Sequence, residues 1–170
     1  MAPTVDRALL EDPVRRRLYQ LLARRALNWS SGSGSVAVDW ASGALRAGWD
    51  SMPLAVLACL AKPPNEFETE RWLAGTLRSL GLPQPGRAEL LELLAFTVAG
   101  DIVSGTLTPE AGCLELSQLC SATGYPKPLM PFLSGEDAFD LARRDDRGTV
   151  EEAEERVRDD ARRLVESAER

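Results

Sequence analysis

Apolar residues recur along this chain at intervals of three and four and nowhere alternate with polar ones for long, so the pattern predicts helices and no strand. The first helix is expected to begin at Asp12, whose carboxylate can accept from the backbone of the first turn. Pro13 then takes the first helical position, where a missing N–H costs nothing. Val14, Leu18, Leu21, Leu22 and Trp29 form its apolar stripe, with Arg16, Arg17 and Arg24 off it. The tract "SSGSGS" at 30–35 has no periodic apolar residue and reads as a flexible connector. It has neither the preceding strand nor the Gly-Lys-Ser/Thr ending of a phosphate loop.

Residues 47–60, "AGWDSMPLAVLACL", read as a corner between helices rather than a working site. Gly48 suits the left-handed turn that ends a short helix over "VDWASGALRA", Asp50 is placed to cap the next helix, and Pro53 fits its first turn. Trp49 and Leu54 have the spacing of a hydrophobic staple, which gives the indole a structural role. The helix from Leu54 to Ala61 is apolar on nearly every face, so it is expected to be central and buried before Pro63-Pro64 stops it.

Asn65 is the expected cap of a fourth helix with Phe67, Leu73 and Leu77 on its inner stripe, Trp72 beside them and Gly81 at its end. After the loop "GLPQPG", a fifth helix runs from Arg87 to Ser104 with Leu90, Leu91, Leu94, Val98 and Ile102 inward. Thr108 caps a sixth that starts at Pro109 and ends by Gly124. Beyond Tyr125 the mixture of prolines and charge predicts a loop, a short helical piece and a solvated connection. Thr149 and Glu152 have capping-box spacing ahead of a last helix carrying Val150, Ala153, Val157, Ala161, Leu164 and Ala168. Its flanks offer pairs four apart, Glu152 with Arg156, Glu154 with Arg158 and Asp159 with Arg163, each worth roughly 0.2–0.5 kcal/mol.

These elements predict an all-α fold, a single compact helical domain of about seven to eight helices with a charged C-terminal helix: residues 1–148 make the helical core, and 149–170 a charged amphipathic helix able to stand partly away from it. A length of 170 residues with 44% hydrophobic and 27% charged side chains suits one globular domain. The first residues show no apolar stretch behind a basic start, and no run approaches the roughly 18 apolar residues of a membrane span, so a cytoplasmic location is expected. The odd number of cysteines, Cys59, Cys113 and Cys120, agrees with reduced thiols.

Charge changes the picture more than composition does. Residues 1–30 carry six arginines against three acids, whereas 136–170 carry eight arginines against thirteen acids, within a net charge of −6. An acidic total argues against nucleic acid as a partner unless the N-terminal arginines act alone.

Candidate chemistry is sparse. The chain has no histidine, which removes His-activated nucleophiles, His-ligated zinc and the usual near-neutral proton shuttle. Cys113 and Cys120 lie seven apart on one helical face, a spacing that suits buried structural thiols better than metal ligands, and Cys59 falls in an apolar helix. Glu66, Glu68 and Glu70 read as a solvated first turn, since a di-metal bundle would want histidine partners. Asp101, in "AGDIVSG", is a carboxylate between two glycines in an otherwise apolar stretch of helix; it either faces solvent or needs a buried partner. The Pro-x-x-Pro run in "YPKPLMP" fits a loop between helices better than a polyproline ligand.

The expectation for function follows from this missing equipment: a noncatalytic protein-binding module of a bacterial-type cytosolic protein, in the manner of an immunity protein, an antitoxin or a regulator, with no cofactor or metal. Its partner would present a basic surface to Glu151, Glu154, Glu155, Asp159 and Asp160 of the last helix. The second reading is a small helical enzyme or ligand-binding protein built on Asp101 and other buried carboxylates. The third is a nucleic-acid regulator using the arginines of the first helix.

Overall fold

The computed structural model describes residues 11–28, 33–144 and 148–167. Among them are eight α-helices and one 3₁₀ turn, and no strand. The helices are α1 (Pro13–Ala26), α2 (Ser33–Arg46), α3 (Met52–Ala58), α4 (Glu66–Ser79), α5 (Arg87–Val103), α6 (Pro109–Ala122), α7 (Met130–Arg143) and α8 (Val150–Ser167), with the 3₁₀ turn at Lys127–Leu129. No helix of the described residues is long and apolar enough to cross a membrane. The helices gather into two compact units, Met1–Leu93 and Leu94–Arg170.

In the first unit, Asp12 Oδ1 accepts from the N–H groups of Val14 and Arg15 at 2.7 and 2.9 Å, which starts α1 where the carboxylate predicted it. The stripe is wider than its leucines, because Tyr19 and Ala23 are also fully buried. The Tyr19 hydroxyl donates to the Pro83 carbonyl at 3.1 Å, a bond that makes its burial tolerable. Helices α1 to α4 enclose a core of Leu18, Leu21, Trp40, Leu54, Leu57 and Leu73 with small alanines of α2 between them.

Part of the Gly/Ser tract is helix rather than connector: Ser33, Gly34 and Ser35 open α2. The cause is tertiary. A Cβ at Gly34 would lie 2.7 Å from Pro64 Cγ, so only glycine lets this turn sit against the segment leading into α4. Its N–H donates to Glu66 Oε1 at 3.2 Å. The remainder of the tract, 30–32, and Trp29 lie outside the described residues.

At the corner, Gly48 takes φ +89° and the Trp49 N–H reaches back to the Ala44 carbonyl at 3.0 Å, the left-handed stop that the glycine predicted. The cap of α3 is Ser51, however, not Asp50. Ser51 is the residue in extended conformation, and its hydroxyl accepts from the Leu54 N–H at 3.3 Å. Trp49 packs on the core edge-to-face with Trp40, ring centroids 6.2 Å apart. Helix α3 ends at Ala58 and buries only Leu54 and Leu57, because seven residues present one face to the core. Cys59 therefore falls just past the helix and is exposed.

Helix α4 starts at the Asn65 cap, whose side chain accepts from the Phe67 N–H at 2.8 Å, and Gly81 follows it at φ +62°. Phe67 is a correction: it is 76% exposed, and Thr69 and Thr76 occupy the inner face with Leu73 and Leu77. Each threonine hydroxyl donates to the carbonyl four residues earlier, Asn65 at 2.9 Å and Trp72 at 2.8 Å, which satisfies the hydroxyl and permits burial.

In the second unit, Thr108 caps α6 through the Ala111 N–H at 3.4 Å, and Gly124 at φ +79° follows its end. The proline-rich stretch folds into more helix than its sequence predicted. Pro128 and Pro131 sit in the opening turns of the 3₁₀ segment and of α7, where no N–H is missed, so the run is not polyproline. Phe132, Gly135, Phe139 and Ala142 recur at helical spacing to bury one face of α7. The capping box of α8 forms as expected: the Thr149 N–H donates to Glu152 Oε2 at 3.0 Å and the Glu152 N–H to Thr149 Oγ1 at 3.2 Å. Ala153, Val157, Ala161 and Leu164 are buried, and α8 packs on both α6 and α7 rather than standing away. Ala168 lies outside the described residues.

Candidate partner-binding surface

The two units differ sharply in charge. Residues 94–170 hold sixteen carboxylate side chains against nine basic ones, a net −7, while residues 1–93 carry net +1. The acidic total of the chain is thus a property of its second unit.

The five acids singled out on α8 are not equivalent. Glu154 pairs with Arg158 at 2.7 Å, Asp159 with Arg162 at 2.5 Å and Asp160 with Arg163 at 3.2 Å. Only the first of these is a pair that the sequence spacing anticipated. Glu152 serves the cap instead of reaching Arg156, and Asp159 turns to the arginine three residues on. The Asp160 side chain is only 14% exposed. Glu151 and Glu155 are exposed and make no ion pair among the described residues.

A groove of about 470 Å³ lies where α6 meets α7. Its floor is apolar, with Cys113 and Phe139 almost wholly buried, and the exposed Leu114 stands on its rim. Glu110 of α6 forms an ion pair with Arg143 of α7, and Arg143 Nη1 also lies 3.9 Å from Asp140 Oδ1. Glu136, one turn earlier on α7, accepts from the buried Ser117 hydroxyl. A reading of residues 126–148 as a loop, a short helical piece and a solvated connection does not put these α7 side chains on one helical face. Placed on a helix, Glu136, Asp140 and Arg143 are spaced four and three apart and share one face.

The thiol at the floor reports on its surroundings. Cys113 Sγ donates to the Phe132 carbonyl at 3.2 Å. Burial, reinforced by the negative charges of Glu136, Asp160 and Glu110, pushes its pKa from an ordinary 9.0 up to about 12. Burial also raises Cys120. Because the folded Cys113 holds its proton more tightly than an unfolded thiol, its stabilising effect is complete below pH 9.0 and is lost as pH rises toward about 12. We expect native-state thiol labelling at neutral pH to modify Cys59 rapidly and Cys113 and Cys120 only on unfolding. We also expect the alkaline fall in stability to be shallower in Cys113→Ala than in the parent; equal pH slopes in denaturant titrations would contradict the assignment.

Arg25 of α1, its side chain 10% exposed, bridges Glu66 at 3.0 Å and also Glu70, so two of the three carboxylates near the start of α4 tie it to α1. The same bridge employs one of the N-terminal arginines that a nucleic-acid reading would need. Asp101 is half-buried near the end of α5, and its carbonyl accepts from the Leu107 N–H at 3.0 Å as the chain turns through Gly105. No group of three His, Cys, Asp or Glu able to hold a metal ion occurs among the described residues. No protein-family model, no curated protein and no solved structure matches this chain.

Proposed function

We propose that this chain is a noncatalytic protein-binding module whose acidic second unit captures a protein with a basic surface. The observation that carries this reading is the segregation of charge, net −7 on residues 94–170 against +1 on 1–93. Such a field acts over distances comparable with the Debye length, about 8 Å at physiological salt, and raises the rate at which an oppositely charged protein arrives. The absence of histidine from the chain removes the commonest proton-transfer side chain and adds weight on the same side. Neutralising a basic toxin or covering the basic cleft of an enzyme, in a cytosol of bacterial type, are the roles this module would fill.

The test is affinity capture followed by kinetics on the captured protein. Basic partners are expected, with association slowing several-fold between about 0.05 and 0.5 M salt and in a Glu151→Lys/Glu155→Lys variant. Partners with acidic surfaces, or association rates indifferent to both salt and charge reversal, would sink the proposal.

A further inference from the structure

Two side chains of opposite charge line one groove of the second unit without meeting. The groove, of about 450 Å³, lies between α7 and α8, and Ser134, Asp137, Ala138, Leu141 and Arg156 are among the residues that line it. The four from α7 recur at three, four and seven residues, so they share one face, separate from the buried face of Phe132, Gly135, Phe139 and Ala142. On its own helix Asp137 has Leu133, Ser134, Asp140 and Leu141 three or four residues away, and none is a cation. Arg156 has Glu152, Ala153, Asp159 and Asp160, and each acid is engaged elsewhere: Glu152 in the capping box, Asp159 with Arg162 and Asp160 with Arg163. Among the described residues, the Asp137 and Arg156 side chains form no ion pair or hydrogen bond, with each other or with any neighbour.

Opposite charges held apart on two helices are both satisfied by a molecule that itself carries both. Beside them Ala138 and Leu141, the latter 38% exposed, make an apolar strip. We propose that this groove binds a free α-amino acid with an aliphatic side chain, its carboxylate on the Arg156 guanidinium, its ammonium on the Asp137 carboxylate and its side chain along Ala138 and Leu141. A guanidinium presents parallel N–H donors to a carboxylate, and an ionised aspartate only accepts, so each wall suits one end of the zwitterion and rejects the other. Ser134 brings a hydroxyl to the same face of α7. Both charged side chains are exposed, so each contact contributes little and saturation needs a millimolar titration. No step of this depends on the protein-binding reading, and either can fail while the other stands.

The test titrates L-leucine into the ¹⁵N-labelled full chain, beside N-acetyl-L-leucine, which lacks the ammonium, and L-leucine methyl ester, which lacks the carboxylate. Saturable shifts are expected with L-leucine at Ser134, Ala138, Leu141 and Arg156. Binding of either derivative should be about two- to five-fold weaker, the scale of an exposed ion pair. Asp137 and Arg156 are exposed, so Asp137→Asn and Arg156→Gln leave the fold intact. Asp137→Asn should weaken L-leucine by that factor and leave N-acetyl-L-leucine unchanged, whereas Arg156→Gln should weaken L-leucine and leave the methyl ester unchanged. Shifts that stay linear with concentration, that centre outside the groove, or that are the same in both variants for all three compounds would overturn the proposal.

Discussion

Deletion of residues 149–170 should unfold the second unit. Judged from its sequence, the last helix offers a thin stripe of alanine and valine with one leucine, and its removal should leave a folded body. The packing reverses that expectation, because Ala153, Val157, Ala161 and Leu164 are each at most 5% exposed and α8 lies on both α6 and α7. Full burial of a valine or leucine is worth roughly 1.5–3 kcal/mol, so Val157 and Leu164 with the two alanines account for on the order of 5 kcal/mol. A domain's whole stability is about 5–15 kcal/mol, and the deletion also exposes the partners that those side chains cover. The expected result is rapid labelling of Cys113 and Cys120 in the truncated chain and loss of a cooperative transition for that unit. Leu164→Ala should be the graded version, costing about 2–5 kcal/mol in a denaturant titration. A truncated chain that still shields both thiols and unfolds cooperatively would show that α8 is dispensable after all.

Two glycine-to-alanine changes should move stability in opposite directions. In α6, a Cβ at Gly112 would meet Ile102 Cγ1 at 2.4 Å and Cδ1 at 2.5 Å, and Ile102 is 1% exposed with no room to swing aside. Overpacking of this kind costs typically 1–3 kcal/mol, which outweighs the gain of up to ~1 kcal/mol from replacing a helical glycine. In α2, a Cβ at Gly43 meets nothing within 4 Å, so only the gain remains. Gly112→Ala is therefore expected to destabilise and Gly43→Ala to stabilise, by about 1 kcal/mol each, read as shifts in denaturation midpoint. The same sign for both would mean that space around the helix does not decide the outcome.

Helix type and most helix ends were legible because they are made by neighbours. Asp12, Asn65, Thr108 and the Thr149–Glu152 box each bond to N–H groups two or three residues away, and Gly48, Gly81 and Gly124 supply left-handed turns that need no tertiary partner. Even the one misplaced cap, Asp50 for Ser51, is an error of a single residue. Burial was less legible, since it depends on which helix arrives from elsewhere. Phe67 has the right spacing for the core, yet Thr69 and Thr76 are inside because their hydroxyls bond back to the helix. Nothing within the tract 30–35 reveals that Gly34 must be small for Pro64, because the two are joined only in the folded chain. The candidate site divides in the same way. The acidity of the last helix is written in its letters, and the sequence alone determines it. Which acids are already paired, and that Glu110 meets Arg143 across two helices thirty-three residues apart, are decided by packing, because an ion pair between helices needs the core beneath it to bring them together.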